Sequence, residues 1–161
     1  MTTIRPATAA DRDALGRYGA ALMRQHHDAD PRRFLLTDNP EAGYGRFLVS
    51  QLRGADTTVL VAEEAAGIVG YIFVGLEPLS WRELRGPSGF VHDIYVDASA
   101  RGRGVGRDLL QAGLDWLRGR GMAQTVLWSK TGNESAQRLF ASAGFRKTMV
   151  EMTRDEEPPR G

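Results

Sequence analysis

The spacing of apolar positions switches between helical and extended periods along the chain, and the switches divide it into elements. "TIRPAT", residues 3–8, reads as a short opening strand that Pro6 confines to an edge or an end of a sheet. From Ala9 to about Gln25, the residues Ala14, Leu15, Tyr18, Leu22 and Met23 recur at helical spacing. The next segment, "HHDADPRRFLLTDNP", is polar and irregular. A second helix is predicted from Pro40 to about Arg53, with Pro40 at its first position and Tyr44, Phe47, Leu48 and Leu52 on one face. Three β-rich runs follow, "TTVLVAEE", "GIVGYIFVGLE" and "GFVHDIYV", and the "AAG" between the first two suggests a hairpin. A polar loop, "PLSWRELRGPS", separates the second run from the third. The pattern then alternates: helix Gly104 to Arg118, strand Gln124 to Trp128, helix Glu134 to Ala143 ended by Gly144, and strand Phe145 to Met152.

Antiparallel strands first and β-α-β-α-β afterwards imply an α/β (α+β) domain: a single mixed, mostly antiparallel sheet flanked by helices. One domain spanning 1–161 is expected, with 154–161 a flexible tail. The chain is 42% hydrophobic and 25% charged with a net charge of +1, which makes no general case for nucleic acid or membrane partners. It has no cysteine and three histidines, so disulfides and thiol nucleophiles are excluded and a metal is not expected. The opening residues lack a secretory pattern and no apolar run is of membrane length, so a cytoplasmic location is expected.

Candidate chemistry begins at "ARGRGVG", Ala100 to Gly106, where a predicted strand meets a predicted helix. A helix start offers unpaired N–H groups and the positive end of its dipole to an anion. Gly102, Gly104 and Gly106 let such a ligand approach the main chain, and Arg101, Arg103 and Arg107 add charge. The string alone is equally a glycine-rich turn with solvated arginines. The dinucleotide fingerprint G-x-G-x-x-G fails at Arg107 or Leu109, and the P-loop's Gly-Lys-Ser/Thr is missing. The pattern R/Q-x-x-G-x-G/A is met by Arg101, Gly104 and Gly106.

That pattern, within "HDIYVDASARGRGVGRDLL", resembles the pyrophosphate loop of the GNAT superfamily of acetyl-CoA-dependent N-acetyltransferases. "NESAQRLFASAGF" is similar to the family's later N-x-x-A-x-x-L-(Y/F)-x-x-x-G-F signature. The resemblance is strongest over Phe90 to Phe145 and implies a sheet with a splayed central strand pair. It also implies acetyl-CoA as cosubstrate and an amine acceptor of small-molecule or peptide type, and it leaves a homodimer open. By the same resemblance the backbone from Arg101 to Arg107, with Gly104, Val105 and Gly106 at its centre, holds the pyrophosphate. Ile94, Tyr95 and Val96 would line the pantetheine arm and aim an amide at the thioester carbonyl. Asn133 would approach the same arm; as a residue type it is also a good helix N-cap. Phe140 stands where many relatives carry the tyrosine that protonates the departing thiolate.

His92 and Asp93 are the candidate catalytic bases, on a strand expected to open beside the thioester, with alternation placing them on opposite faces. A neutral imidazole suits the task, and a structural polar role competes with it at His92. Tyr95 shares the face of Asp93. The region of His26, His27, Asp28, Asp30, Arg32, Arg33 and Phe34 is an acceptor-recognition candidate or a surface loop. Glu77 is a candidate partner for a cationic acceptor. Trp81 reads as a loop-packing residue and Trp128 as core. Two rivals to the enzyme reading are a non-catalytic acyl-CoA-binding regulatory module and, disfavoured by the failed fingerprints, a nucleotide-binding domain.

Overall fold

The computed structural model describes residues 1–157; the last four residues of the expected tail lie outside the described residues. The elements are β1 (Thr3–Pro6), α1 (Arg12–Ala29), α2 (Pro40–Gln51), β2 (Thr57–Glu64), β3 (Gly67–Glu77), β4 (Ser88–Val96), α3 (Val105–Gly119), β5 (Thr125–Leu127) and α4 (Glu134–Ser142). The five strands form one sheet in the order β1-β2-β3-β4-β5. The first three pairings are antiparallel, and β4 with β5 is parallel. This is the mixed, mostly antiparallel sheet that the sequence implies.

Both faces of the sheet are buried, which is why β2 and β3 read as nearly continuous apolar runs. On one face Leu60, Ala62, Ile72 and Val74 pack with Val91 and with Val105, Leu109, Leu110 and Leu117 of α3. On the other Val59, Val61, Tyr71 and Phe73 pack with Leu15 of α1 and Leu48 of α2. Alternation along each strand divides its residues between these two cores. Each fully buried leucine contributes about 1.5–3 kcal/mol over its exposed state.

Three boundaries differ from the sequence reading. Helix α1 runs to Ala29, so His26 and His27 lie in its last turn and not in a loop. Asp30 N–H closes on His26 C=O at 3.0 Å, and Pro31 then prevents the helix from continuing. The polar composition of this turn hid its helical period. β5 is three residues long, shorter than the five expected.

The third difference is the strand expected over Phe145 to Met152, where no strand forms. An alternating sequence becomes a strand only by pairing with a neighbouring edge, and this segment pairs with neither outer edge of the sheet, that of β1 or that of β5. It is tied down instead by ion pairs of Arg33 with Glu151 and, farther along, of Arg32 with Asp155. Met149, Val150 and Met152 are exposed.

Candidate active site

β4 is paired with β3 from end to end, whereas its ladder with β5 covers only Gly89 to Val91. From His92 to Val96 the second edge of β4 has no strand partner, and the strands part there. This is the splayed pair. A cleft of about 80 Å³ opens at the parting, lined among others by Leu22, His26, His92, Asp93, Ile94, Asn133 and Phe140. A second cleft of about 230 Å³ adjoins it, lined by Glu77, Glu83, Arg85, Phe90, Val91, His92 and Trp128. His92 belongs to both.

The strict alternation expected of His92 and Asp93 is broken. Phe73 pairs with Asp93 and Val74 with Val91, so His92 is the extra residue of a β-bulge. The bulge puts both side chains on the face of α1 and α2. The His92 ring lies 4.8 Å from that of Phe73 and 5.6 Å from that of Phe90. Its Nε2 is 3.4 Å from Glu77 Oε1, with 30% of the histidine side chain still exposed. Burial pulls the His92 pKa below its ordinary value, and the charges of Glu77 and Asp93 oppose that pull.

Asp93 is recessed beneath the cleft. Its Oδ2 accepts from Tyr44 Oη at 2.7 Å and from Tyr71 Oη at 3.0 Å. Burial pushes the Asp93 carboxyl above its ordinary value, while the two hydroxyls and the nearby His92 and His26 pull it down. Tyr44 reaches β4 from α2 only because α1 carries Gly19 in its path. A Cβ at that position would stand 2.1 Å from Tyr44 Cδ1.

At the far end of the free edge, α3 begins. Gly104 is its N-cap at φ 84°, a left-handed conformation that glycine adopts without strain. The first helical rung is Asp108 N–H to Gly104 C=O, 3.0 Å, so the N–H groups of Val105, Gly106 and Arg107 precede the ladder and are free to meet an anion. Gly106 lies against Val96 and Leu139, which joins the helix start to both the strand edge and α4. Gly102 is also left-handed, at φ 77°.

The arginines are not all held alike. Arg101 turns back, donating from Nε to Val96 C=O at 3.0 Å and covering the Tyr95 ring at 5.5 Å. Arg103 pairs with Glu64 at 3.1 Å. Arg107 remains 76% exposed beside Asp108, with its guanidinium over Gly104.

Asn133 caps α4 by accepting from Ala136 N–H at 3.4 Å and also lines the cleft. Phe140 is buried against Phe145 and presents an edge to the same cleft. The side chain of Tyr95 stacks on Tyr18 at 5.5 Å and packs in the α1/α2 core, so only its backbone is on the open edge. Trp128, read from sequence as core, is 78% exposed and forms a wall of the larger cleft, edge-on to Phe90. β5 is too short to bury it. Trp81 is likewise exposed at 84%, where packing of its loop was expected.

Sequence reasoning missed Tyr44 and Tyr71. Both read as members of apolar faces, and their hydroxyls acquire a partner only through tertiary approach to Asp93. Among the described residues no group of three or more His, Asp or Glu side chains is placed to hold a metal. No helix of the described residues is long and apolar enough to cross a membrane.

The fold is shared with known proteins. The chain is 33% identical over 150 residues to glucosamine 6-phosphate N-acetyltransferase 1 of Oryza sativa subsp. japonica, covering 92% of this chain and 84% of the relative. It is 31% identical over 129 residues to the mycothiol acetyltransferase of Thermomonospora curvata, covering 77% of this chain. It spans only 41% of that longer relative. Among solved structures, a tetramutant of the BH1408 protein from Bacillus halodurans superposes with a TM-score of 0.81 at 24% identity, covering 96% of this chain and 99% of that one. AAC(6')-Iy in complex with the bisubstrate analogue CoA-S-monomethyl-acetylneamine gives 0.72 at 16% identity, covering 98% and 99%. The family model of the Acetyltransferase (GNAT) family matches residues 18–145, which include both glycine-bearing motifs and the whole parted strand pair. With its splayed sheet and a family match over most of its length, the chain belongs to the GNAT acetyltransferase family.

Proposed function

We propose that this chain transfers an acetyl group from acetyl-CoA to a primary amine by direct attack while both substrates are bound. The observation that carries the reading is the free edge of β4, which runs from the His92–Asp93 cleft to the N-terminus of α3. A long pantetheine arm can take hydrogen bonds from an unpaired strand edge, and a pyrophosphate can take them from a helix start. Here Gly106 of the helix start lies against Val96 at the end of that edge.

In this reading the backbone of Ile94, Tyr95 and Val96 holds the arm, and the segment from Arg101 to Arg107 holds the pyrophosphate. Asn133 and Phe140 flank the arm from α4. An N–H of the β4 edge stabilises charge on the thioester oxygen as the amine attacks. The acceptor enters as an ammonium and gives one proton to His92 or Asp93, directly or through water. Its nitrogen then forms the N–C bond as the C–S bond breaks and the electron pair leaves on sulfur. The second nitrogen proton balances the thiolate, giving amide and free thiol. Phe140 has no hydroxyl, so the sulfur receives its proton from another donor.

The test is thiol release from acetyl-CoA across a panel of amines, with mass detection of the acetylated product. Amine-dependent release with a matching product is the expected result. CoA binding without product from any amine would refute transfer and favour the non-catalytic acyl-CoA-binding module, a reading that the apolar Phe140 supports.

A further inference from the structure

We propose that Tyr44 and Tyr71 act as a clamp that fixes the Asp93 carboxylate through Oδ2 and leaves Oδ1 open to the cleft as the seat of the acceptor's ammonium group. This rests on the acetyl-transfer reading and adds to it the charge state in which the acceptor binds, together with two positioning residues.

Both tyrosine hydroxyls donate to the same carboxylate oxygen, at 2.7 and 3.0 Å. The other oxygen has no hydrogen bond or salt bridge among the described residues. It is not a sealed unsatisfied atom either, because no buried side-chain oxygen among the described residues lacks a partner. Oδ1 therefore reaches open space, and the space that Asp93 borders is the cleft at the strand parting.

The surroundings make a carboxylate expensive here. Asp93 adjoins the core of Tyr71 and Phe73, where an apolar side chain would pack without loss of hydration. Hydrogen bonds from two rigid phenols offset part of that cost on one oxygen only. Gly19 shows how far the fold goes to permit this: any side chain there would occupy the place of the Tyr44 ring.

The titratable groups that face Asp93 are Tyr44 from α2, Tyr71 from β3, His26 from α1 and His92 on β4 itself. None is a fixed cation; Lys130 lines the same cleft, but neither it nor any arginine forms a salt bridge with Asp93 among the described residues. A negative charge so placed is best balanced by a cation that arrives with the substrate. The ammonium of an amine acceptor is of that class.

Carbon-detected NMR titration of the Asp93 carboxyl in the free protein tests the clamp without any need for turnover. Tyr44→Phe and Tyr71→Phe preserve the rings and remove one donor each. Each should move the Asp93 midpoint upward by roughly one to two pH units. Unchanged midpoints in both folded variants would overturn the clamp, and a variant that fails to fold leaves its partner to decide.

Steady-state kinetics test the ammonium seat. Asp93→Asn keeps an acceptor oxygen for the tyrosines and removes the charge. It should raise acceptor KM at least tenfold while leaving CoA affinity unchanged. An unchanged acceptor KM would overturn the seat. If no amine is acetylated by the wild type, the acetyl-transfer reading fails and the ammonium seat with it, while the titration still decides whether the clamp exists.

Discussion

Replacing Gly104 by valine separates an anion-binding helix start from a merely glycine-rich turn. Gly104 has φ 84° and ψ 4°, where an L residue costs about 1–2 kcal/mol and a β-branched one somewhat more. The new Cβ would stand 2.9 Å from Arg107 Nη2, the free end of a flexible side chain, so the clash is relieved by a rotamer change. The fold should survive with its melting temperature lowered by several degrees. The branched side chain would project beside the N–H groups of Val105, Gly106 and Arg107, where the pyrophosphate is proposed to lie. A charge-assisted hydrogen bond is worth about 1.5–3 kcal/mol, so blocking even one predicts a CoA affinity lower by about ten- to a hundredfold. Titration calorimetry with CoA measures this directly. Gly121→Val supplies the control, because Gly121 has φ 82° with open space around it at the opposite end of α3. It carries the backbone cost without touching the site and should bind CoA normally. A folded Gly104→Val protein with wild-type affinity for CoA would refute the assignment of the pyrophosphate to this loop.

Gly19→Ala should displace Tyr44 and cost about 1–3 kcal/mol from overpacking, with loss of the Tyr44–Asp93 hydrogen bond. Denaturant unfolding and the Asp93 titration would register the two effects separately. If His92 is the base, the rate should rise with pH through a midpoint below the ordinary histidine value, since burial favours the neutral ring and the neutral ring is the active form. That limb should vanish from the pH–rate profile of His92→Ala, and an identical profile would leave His92 a structural role. Phe140→Tyr should raise turnover if protonation of the leaving thiolate limits the rate, and single-turnover kinetics would show no change if deprotonation of the amine limits it. Arg103→Ala should weaken CoA binding by less than a buried contact would, because Arg103 is 53% exposed and already shared with Glu64.

Local sequence was sufficient for much of this protein. Helical spacing in α3 and α4, Pro40 at the start of α2, and the glycines at Gly104 and Gly144 are features that a short window contains, because capping and amphipathicity act over a few residues. The two motifs marked the helix start and the cleft wall for the same reason: each is a contiguous run. Tertiary structure decided the rest. Whether Phe145 to Met152 became a strand depended on pairing with an edge elsewhere in the chain, which alternation within the segment cannot secure. Whether His92 and Asp93 faced together or apart depended on a bulge, which exists only as a register between β3 and β4. Trp128 is exposed because its strand ends at Leu127, a length set by where β4 and β5 part. Tyr44, Tyr71 and Asp93 lie on three different elements, and nothing local to any of them reports the others. Their meeting is a property of packing across Gly19, since hydrogen bonds between distant residues form only after the burial of apolar surface has brought their elements together.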